Sequence, residues 1–224
     1  MKSRFIYIVF AILLVLLFNP FLRPLGLFGH LFSTLFLAMI PLSSAFALTQ
    51  NRDKSIVIFF IAAPFVILDG LNFFLTSHLL MIVAFSFATV LYFYIVYLLM
   101  KILLSIRVVT ADLVYCAISI YLLIGIGWAG IYTIVEGISP GSFSVTSASG
   151  DLLYFSFVSL TTVGYGDVLP VSAFAKRLAV FESAMGSIYM AVIIAMIVGR
   201  YMSMQLEPDS ESEISLEKRD PPGR

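Results

Sequence analysis

Six apolar runs divided by short polar joints constrain this chain most, because each is a candidate for crossing a lipid bilayer. A hydrocarbon core about 30 Å thick takes about 20 predominantly apolar residues as helix. The runs cover 5–18, 27–48, 56–75, 79–104, 113–135 and 178–201, while a seventh, 151–161, is too short to span. Backbone N–H and C=O groups find no water at that depth, so every spanning run is expected to be helical. Pro41 and Pro64 should bend or loosen the helices that hold them. With 61% hydrophobic and 12% charged residues among 224, the chain lacks the polar surface to face water all round. The expected fold class is therefore all-α and polytopic, with six transmembrane helices. The first run follows Lys2 and Arg4, as the apolar centre of a secretory signal would. It is followed, however, by Asn19-Pro20-Phe21-Leu22-Arg23-Pro24 in place of small cleavage-site residues, so an uncleaved helix is expected.

Lys and Arg in short loops are retained on the cytoplasmic side. Six spans place both termini on one side. Lys2, Arg4, Arg52, Lys54, Lys101, Arg107, Arg200, Lys218, Arg219 and Arg224 then fall inside, and Arg23, Lys176 and Arg177 outside. This division predicts cytoplasmic N- and C-termini. The joint at 105–111 separates a four-span N-terminal domain, 1–105, from a unit at 106–204 that holds the last two spans. From Gln205 the composition turns acidic and polar, which predicts a disordered tail over 205–224. Thirteen basic residues balance thirteen acidic ones, and zero net charge argues against an electrostatic grip on nucleic acid. Cys116 has no second thiol to pair with, and with His30 and His78 scattered it makes no zinc cage. No pair of spans presents a nucleophile and base, so neither an enzyme nor a cofactor is expected.

The stretch that carries chemistry is 152–170, LLYFSFVSLTTVGYGDVLP, between the last two spans. A helix-sized apolar piece too short to cross, followed by Gly-rich backbone and then a full span, must dip in and return. Non-helical backbone at membrane depth is tolerated only where protein buries it or where it lines a water-filled path. Gly164 and Gly166 alternate with larger residues, so positive φ is accessible at every second position without a Cβ clash. Such alternation turns successive carbonyls to one side, and a row of inward carbonyl oxygens is a ligand set for a dehydrated hard cation if other copies complete the ring.

At these residues a family resemblance appears. Thr161-Thr162-Val163-Gly164-Tyr165-Gly166-Asp167 resembles the selectivity signature of potassium channels. The resemblance covers about 113–201 through its order of helix, pore loop and helix, and the whole chain resembles six-span bacterial potassium channels only loosely. It implies a homotetramer in a lipid bilayer, at the plasma membrane and by that resemblance the bacterial inner membrane, with potassium ions as permeant ligand. It further implies an outer helix at 113–135, a pore helix at 151–161, a filter at 162–166 and an inner helix at 178–201. The ion sites would be the carbonyls of Thr162, Val163, Gly164 and Tyr165 with the Thr162 hydroxyl, Gly166 would complete the filter, and Asp167 would close the outer mouth. By spacing from the filter, Gly186 would be the inner-helix hinge, with Ser187, Met190 and Ile194 on the cavity face.

This sequence departs from many relatives, which support the filter Tyr with a pair of Trp residues. Tyr154 and Phe155 stand there instead, and Phe155 cannot donate a hydrogen bond, which implies a looser cuff. Val158 occupies a position where some relatives carry a carboxylate coupled to the filter aspartate. Glu182 within the final span has two open readings, a buried, protonated or hydrogen-bonded packing residue behind the pore helix or a gating group. Asp69 is expected at an outer helix end or facing its own bundle. Gly125-Ile126-Gly127-Trp128-Ala129-Gly130 matches a nucleotide fingerprint in letters only. No strand precedes it, so it reads as close helix packing. The alternative to a conducting channel is a non-conducting subunit whose pore-like half assembles with another channel protein. A single-chain pore-loop transporter would need several such loops, and the chain has one.

Overall fold

The computed structural model describes residues 4–22, 26–47, 52–75, 77–106, 108–144 and 148–219. These form α1 (Ile6–Leu22), α2 (Gly26–Ala47), α3 (Arg52–Leu75), α4 (His78–Ser105), α5 (Ala111–Ile138), α6 (Ala148–Leu160) and α7 (Ala173–Arg219). The fold is all-helical, with one isolated β-bridge among the described residues. Helices α2, α3, α4, α5 and α7 are long and apolar enough to cross a membrane, whereas the apolar part of α1, Ile6–Phe18, is shorter. The molecule is thus a multi-pass membrane protein, and the six expected spans resolve into five long helices and one shorter one.

The largest difference from the expected boundaries lies in α7. It starts at Ala173 because the Ser172 hydroxyl accepts the Ala175 N–H at 3.1 Å, satisfying a donor of the first turn. It then continues to Arg219, where the sequence reads a disordered tail from Gln205. An acidic composition argues that a segment leaves the membrane, not that it leaves the helix. Leu206, Glu207, Glu211, Glu213, Leu216, Glu217 and Lys218 include some of the stronger helix formers. The tail expectation is corrected accordingly for 205–219, and 220–224 lie outside the described residues.

Helix α5 is the hub, packing against α1, α4, α6 and α7. Its glycines explain how. A Cβ on Gly125 would approach the Phe157 ring of α6 to 2.8 Å, one on Gly127 would reach the Phe93 ring of α4 at 3.0 Å, and one on Gly130 would overlap the Thr89 hydroxyl. The glycine-rich run is a packing surface for two neighbours at once. Thr110 caps α5 by accepting the Leu113 N–H at 3.3 Å. Arg200 of α7 donates to the carbonyls of Leu103 at 3.0 Å and Leu104 at 3.3 Å. These are acceptors left over in the last turn of α4, so the final helix is tied to the C-terminal end of α4.

Within the N-terminal bundle, Asp69 of α3 faces its neighbours. Its carboxylate accepts from Thr34 at 2.6 Å and lies 3.4 Å from His30 Nε2, both on α2. A cavity of about 590 Å³ lies beside this cluster, lined among others by Asn72, His78 and Tyr92. Tyr92 is buried.

Candidate functional site

The segment between α5 and α7 turns back on itself and is stitched at its open end. The Glu136 carboxylate accepts the backbone N–H groups of Gly141 at 2.7 Å and Phe143 at 3.0 Å, which shapes the turn leaving α5. Phe143 then forms a β-bridge with Pro170. Beside it the Ser144 N–H donates to the Leu169 carbonyl at 2.9 Å, and the Val171 N–H donates to the Ser142 carbonyl at 2.7 Å. Backbone leading into α7 is therefore held against backbone that leads into α6. The other end of α6 is braced by side chains. Tyr121 of α5 donates to the Leu160 carbonyl at 3.2 Å, and Ser183 of α7 donates to the Ser159 carbonyl at 3.0 Å. Orphan carbonyls at a helix C-terminus need such partners, and here they come from the helices on either side.

The filter motif begins where that braced end stops. Thr162 has φ 59°, Gly164 φ 60° and Gly166 φ 80°, so left-handed backbone recurs at every second residue. The glycines were expected to permit this; Thr162 was not. A β-branched residue in this region is strained, and such strain clusters at functional sites. The N–H groups of Val163 and Gly164 both donate to the Val158 carbonyl, at 3.0 and 3.4 Å, and anchor the first residues to α6. Among the described residues, the carbonyls of Thr162, Val163, Gly164, Tyr165 and Gly166 accept no hydrogen bond within the chain, and the whole run is exposed. A row of unengaged carbonyls on alternating backbone can replace the water shell of a cation.

Tyr154 and Phe155 part company. The Tyr154 ring lies parallel to that of Tyr165, with centroids 6.4 Å apart. Its hydroxyl donates to Asp167 Oδ2 at 2.7 Å. This hydrogen bond holds the Asp167 carboxyl below its usual range, and the same bond pushes the Tyr154 phenol up to about 12. The Val168 N–H also donates to Asp167, at 3.0 Å. Phe155 instead turns away from the filter and meets Tyr132 and Phe143 edge-on, with centroids 5.2 and 5.4 Å away. Successive residues on a helix do not share a face, so of the two expected supports Tyr154 meets Tyr165 and Asp167, and Phe155 packs between Tyr132 and Phe143.

On α7, Ser187, Met190 and Ile194 are exposed, while Tyr189 and Ile193 between them are buried. The three expected cavity residues thus occupy a face without a partner in this chain. Helix α7 runs unbroken through Gly186, which packs against the last turn of α6; a Cβ there would collide with the Leu160 carbonyl. Glu182 is buried between α5 and α6, with Tyr132 and Ser156 at its carboxyl oxygens. The brace at Tyr121 and Ser183 was missed by sequence reading, because hydroxyl residues on apolar helices carry no signal of what they meet.

Residues 120–203 match the family model described as an ion channel. That stretch takes in α5 from Ile120 onward, all of α6, the glycine-bearing loop after it and α7 as far as Ser203. The inward rectifier potassium channel Kirbac3.1 of Paramagnetospirillum magnetotacticum is 31% identical over 68 residues, which are 30% of this chain and 21% of that protein. The chain therefore spans about a fifth of that relative's length. No solved structure matches significantly. Both matches support the potassium-channel pore-loop resemblance read from the motif, in a membrane protein of apolar helices.

Proposed function

We propose that four copies of this chain surround one axis and conduct potassium selectively and passively across a membrane. The observation that carries the reading is the left-handed backbone at Thr162, Gly164 and Gly166 on a row of unengaged carbonyls. In this reading the carbonyls of Thr162, Val163, Gly164 and Tyr165 hold the ions with the Thr162 hydroxyl, and Gly166 closes the filter. Asp167, fixed by Tyr154, shapes the outer mouth. Ser187, Met190 and Ile194 line the cavity, and Gly186 allows the inner helix to bend. The negative end of the α6 dipole favours a cation below the filter. One chain has one pore loop, so a ring needs further copies. The exposed apolar residues around the loop and along α7, among them Val163, Phe181, Ile188 and Val198, are surface for those copies to bury. The basic residues orient the filter outward and both termini to the cytoplasm, as in a bacterial inner membrane.

Purified protein in liposomes tests this directly. The reversal potential should follow the potassium gradient and ignore sodium, and the mass in detergent should fit four chains. Equal permeability to the two ions would overturn the selectivity, and a mass fitting only one or two chains would overturn the assembly.

Opening should depend only weakly on voltage. Moving one charge through the field is worth about 2.3 kcal/mol per 100 mV, so steep gating needs several charges per subunit. Helix α4, in the place of a voltage-sensing helix, has one Lys or Arg, Lys101 near its C-terminal end, and that ammonium sits 4.5 Å over the Tyr97 ring. A conductance–voltage curve recorded on the assembly should be shallow; an effective gating charge of several units would refute the reading.

A further inference from the structure

Glu182 lies at the meeting point of three helices with no accessible surface. An isolated carboxylate in such a place is costly, and among the described residues no Lys, Arg or His pairs with it. Neighbouring titratable groups bond elsewhere: Tyr121 to the Leu160 carbonyl, Glu136 to the loop after α5, Tyr154 to Asp167 and Tyr189 to the Ala117 carbonyl. Asp151 on α6 and Lys176 and Arg177 on α7 form no ion pair with it.

Counting protons decides its state. Tyr132 of α5 donates to Glu182 Oε2 at 2.5 Å. Ser156 Oγ of α6 lies 2.5 Å from Glu182 Oε1 and 2.7 Å from the Gly125 carbonyl of α5. A serine hydroxyl has one proton to give, and a carbonyl has none. The contact with Gly125 therefore uses the serine proton. The contact with Oε1 then needs a proton supplied from the glutamate side, or two lone pairs would face each other at 2.5 Å. We infer that Glu182 is a neutral carboxylic acid that accepts from Tyr132 and donates to Ser156, forming an ordered chain Tyr132, Glu182, Ser156, Gly125 that positions the pore helix against α5 and α7. Removing the acid proton leaves Ser156 one proton for two acceptors, so one of its contacts must break. Ser156 precedes Val158, whose carbonyl anchors Val163 and Gly164, so movement there reaches the filter. Glu182 is a positioning residue. Its protonation does not depend on the channel reading, but its effect on conduction rests on it.

Infrared difference spectra of the purified full-length protein in lipid, wild type minus Glu182→Gln, test the protonation without any flux. At neutral pH the difference should contain the carbonyl band of a protonated carboxylic acid, and Ser156→Ala should shift that band by removing its acceptor. A difference made of carboxylate bands would overturn the proposal even if the protein proved not to conduct. Flux in liposomes tests the positioning. Glu182→Gln keeps one donor and one acceptor in nearly the same shape and should conduct within about twofold of wild type, whereas Glu182→Leu, which loses both, should fall by about tenfold or more. Ser156→Ala should also reduce flux, and serves where the Leu variant fails to assemble. Loss of conduction in the Gln variant as complete as in the Leu variant would overturn the positioning role.

Discussion

Gly164→Ala abolishes selective conduction and leaves the protein in the membrane: this is the expected result of putting a Cβ at φ 60°. Nothing lies within 4 Å of where that Cβ would stand, so the effect in each chain comes from the backbone. An L-residue with a side chain is disfavoured in the left-handed region by roughly 1–2 kcal/mol, and in the proposed assembly the penalty recurs in every copy. Thr162 already holds a similar conformation at φ 59°, so a further strained residue two positions on is added to a segment with little in reserve. Relief requires the peptide to rotate, which swings a carbonyl out of the ladder. The packing of α5, α6 and α7 is untouched, so expression, size on a column and helical content should match wild type while potassium-selective flux in liposomes disappears. Gly141→Ala is the control. It carries the same kind of strain, at φ 84°, in the loop before α6, and should leave selectivity intact. Normal selective flux in the Gly164 variant would mean that this backbone does not meet the ion.

How much of this was legible beforehand follows from the kind of signal each feature emits. The long apolar helices are visible because lipid demands some 20 apolar residues in a row, and the left-handed backbone at Gly164 and Gly166 because the two glycines alternate within one short motif. The packing role of Gly125, Gly127 and Gly130 was also readable, since small residues on an apolar helix have few other uses. Features that depend on two distant positions were not. That Tyr154 reaches Asp167 while Phe155 faces Tyr132 depends on how α6 is rotated, which the scattered serines of its sequence do not specify. The partners of Glu182 lie 50 and 26 residues away; an acidic residue in a span announces that it has partners, not which. The end of α7 was misplaced because charge and disorder were read as one property, although Glu and Lys serve an exposed helix well.

The same limit governs Gly186, where the family spacing implies a hinge and the structure adds a contact. The two roles predict opposite signs for one substitution. At an exposed helical site that serves only as a hinge, replacing Gly by Ala should stabilise by up to about 1 kcal/mol through helix propensity. At Gly186 the added Cβ would strike the Leu160 carbonyl and come within 2.8 Å of Leu160 Cδ1. A carbonyl cannot swing aside as a flexible side chain does, and this one is already held by the Tyr121 hydroxyl. Either α7 moves outward or the last turn of α6 gives way, and overpacking of this kind typically costs about 1–3 kcal/mol. Both routes disturb the Ser183 bond to Ser159, hence the base of the filter. Gly186→Ala should therefore lower the melting temperature and remove selective flux together. Gly199→Ala on the same helix, where nothing lies within 4 Å, should leave the melting temperature unchanged or raise it. A Gly186 variant that melts at or above the wild-type temperature would show that α7 does not press on Leu160, and would leave bending as this glycine's only use.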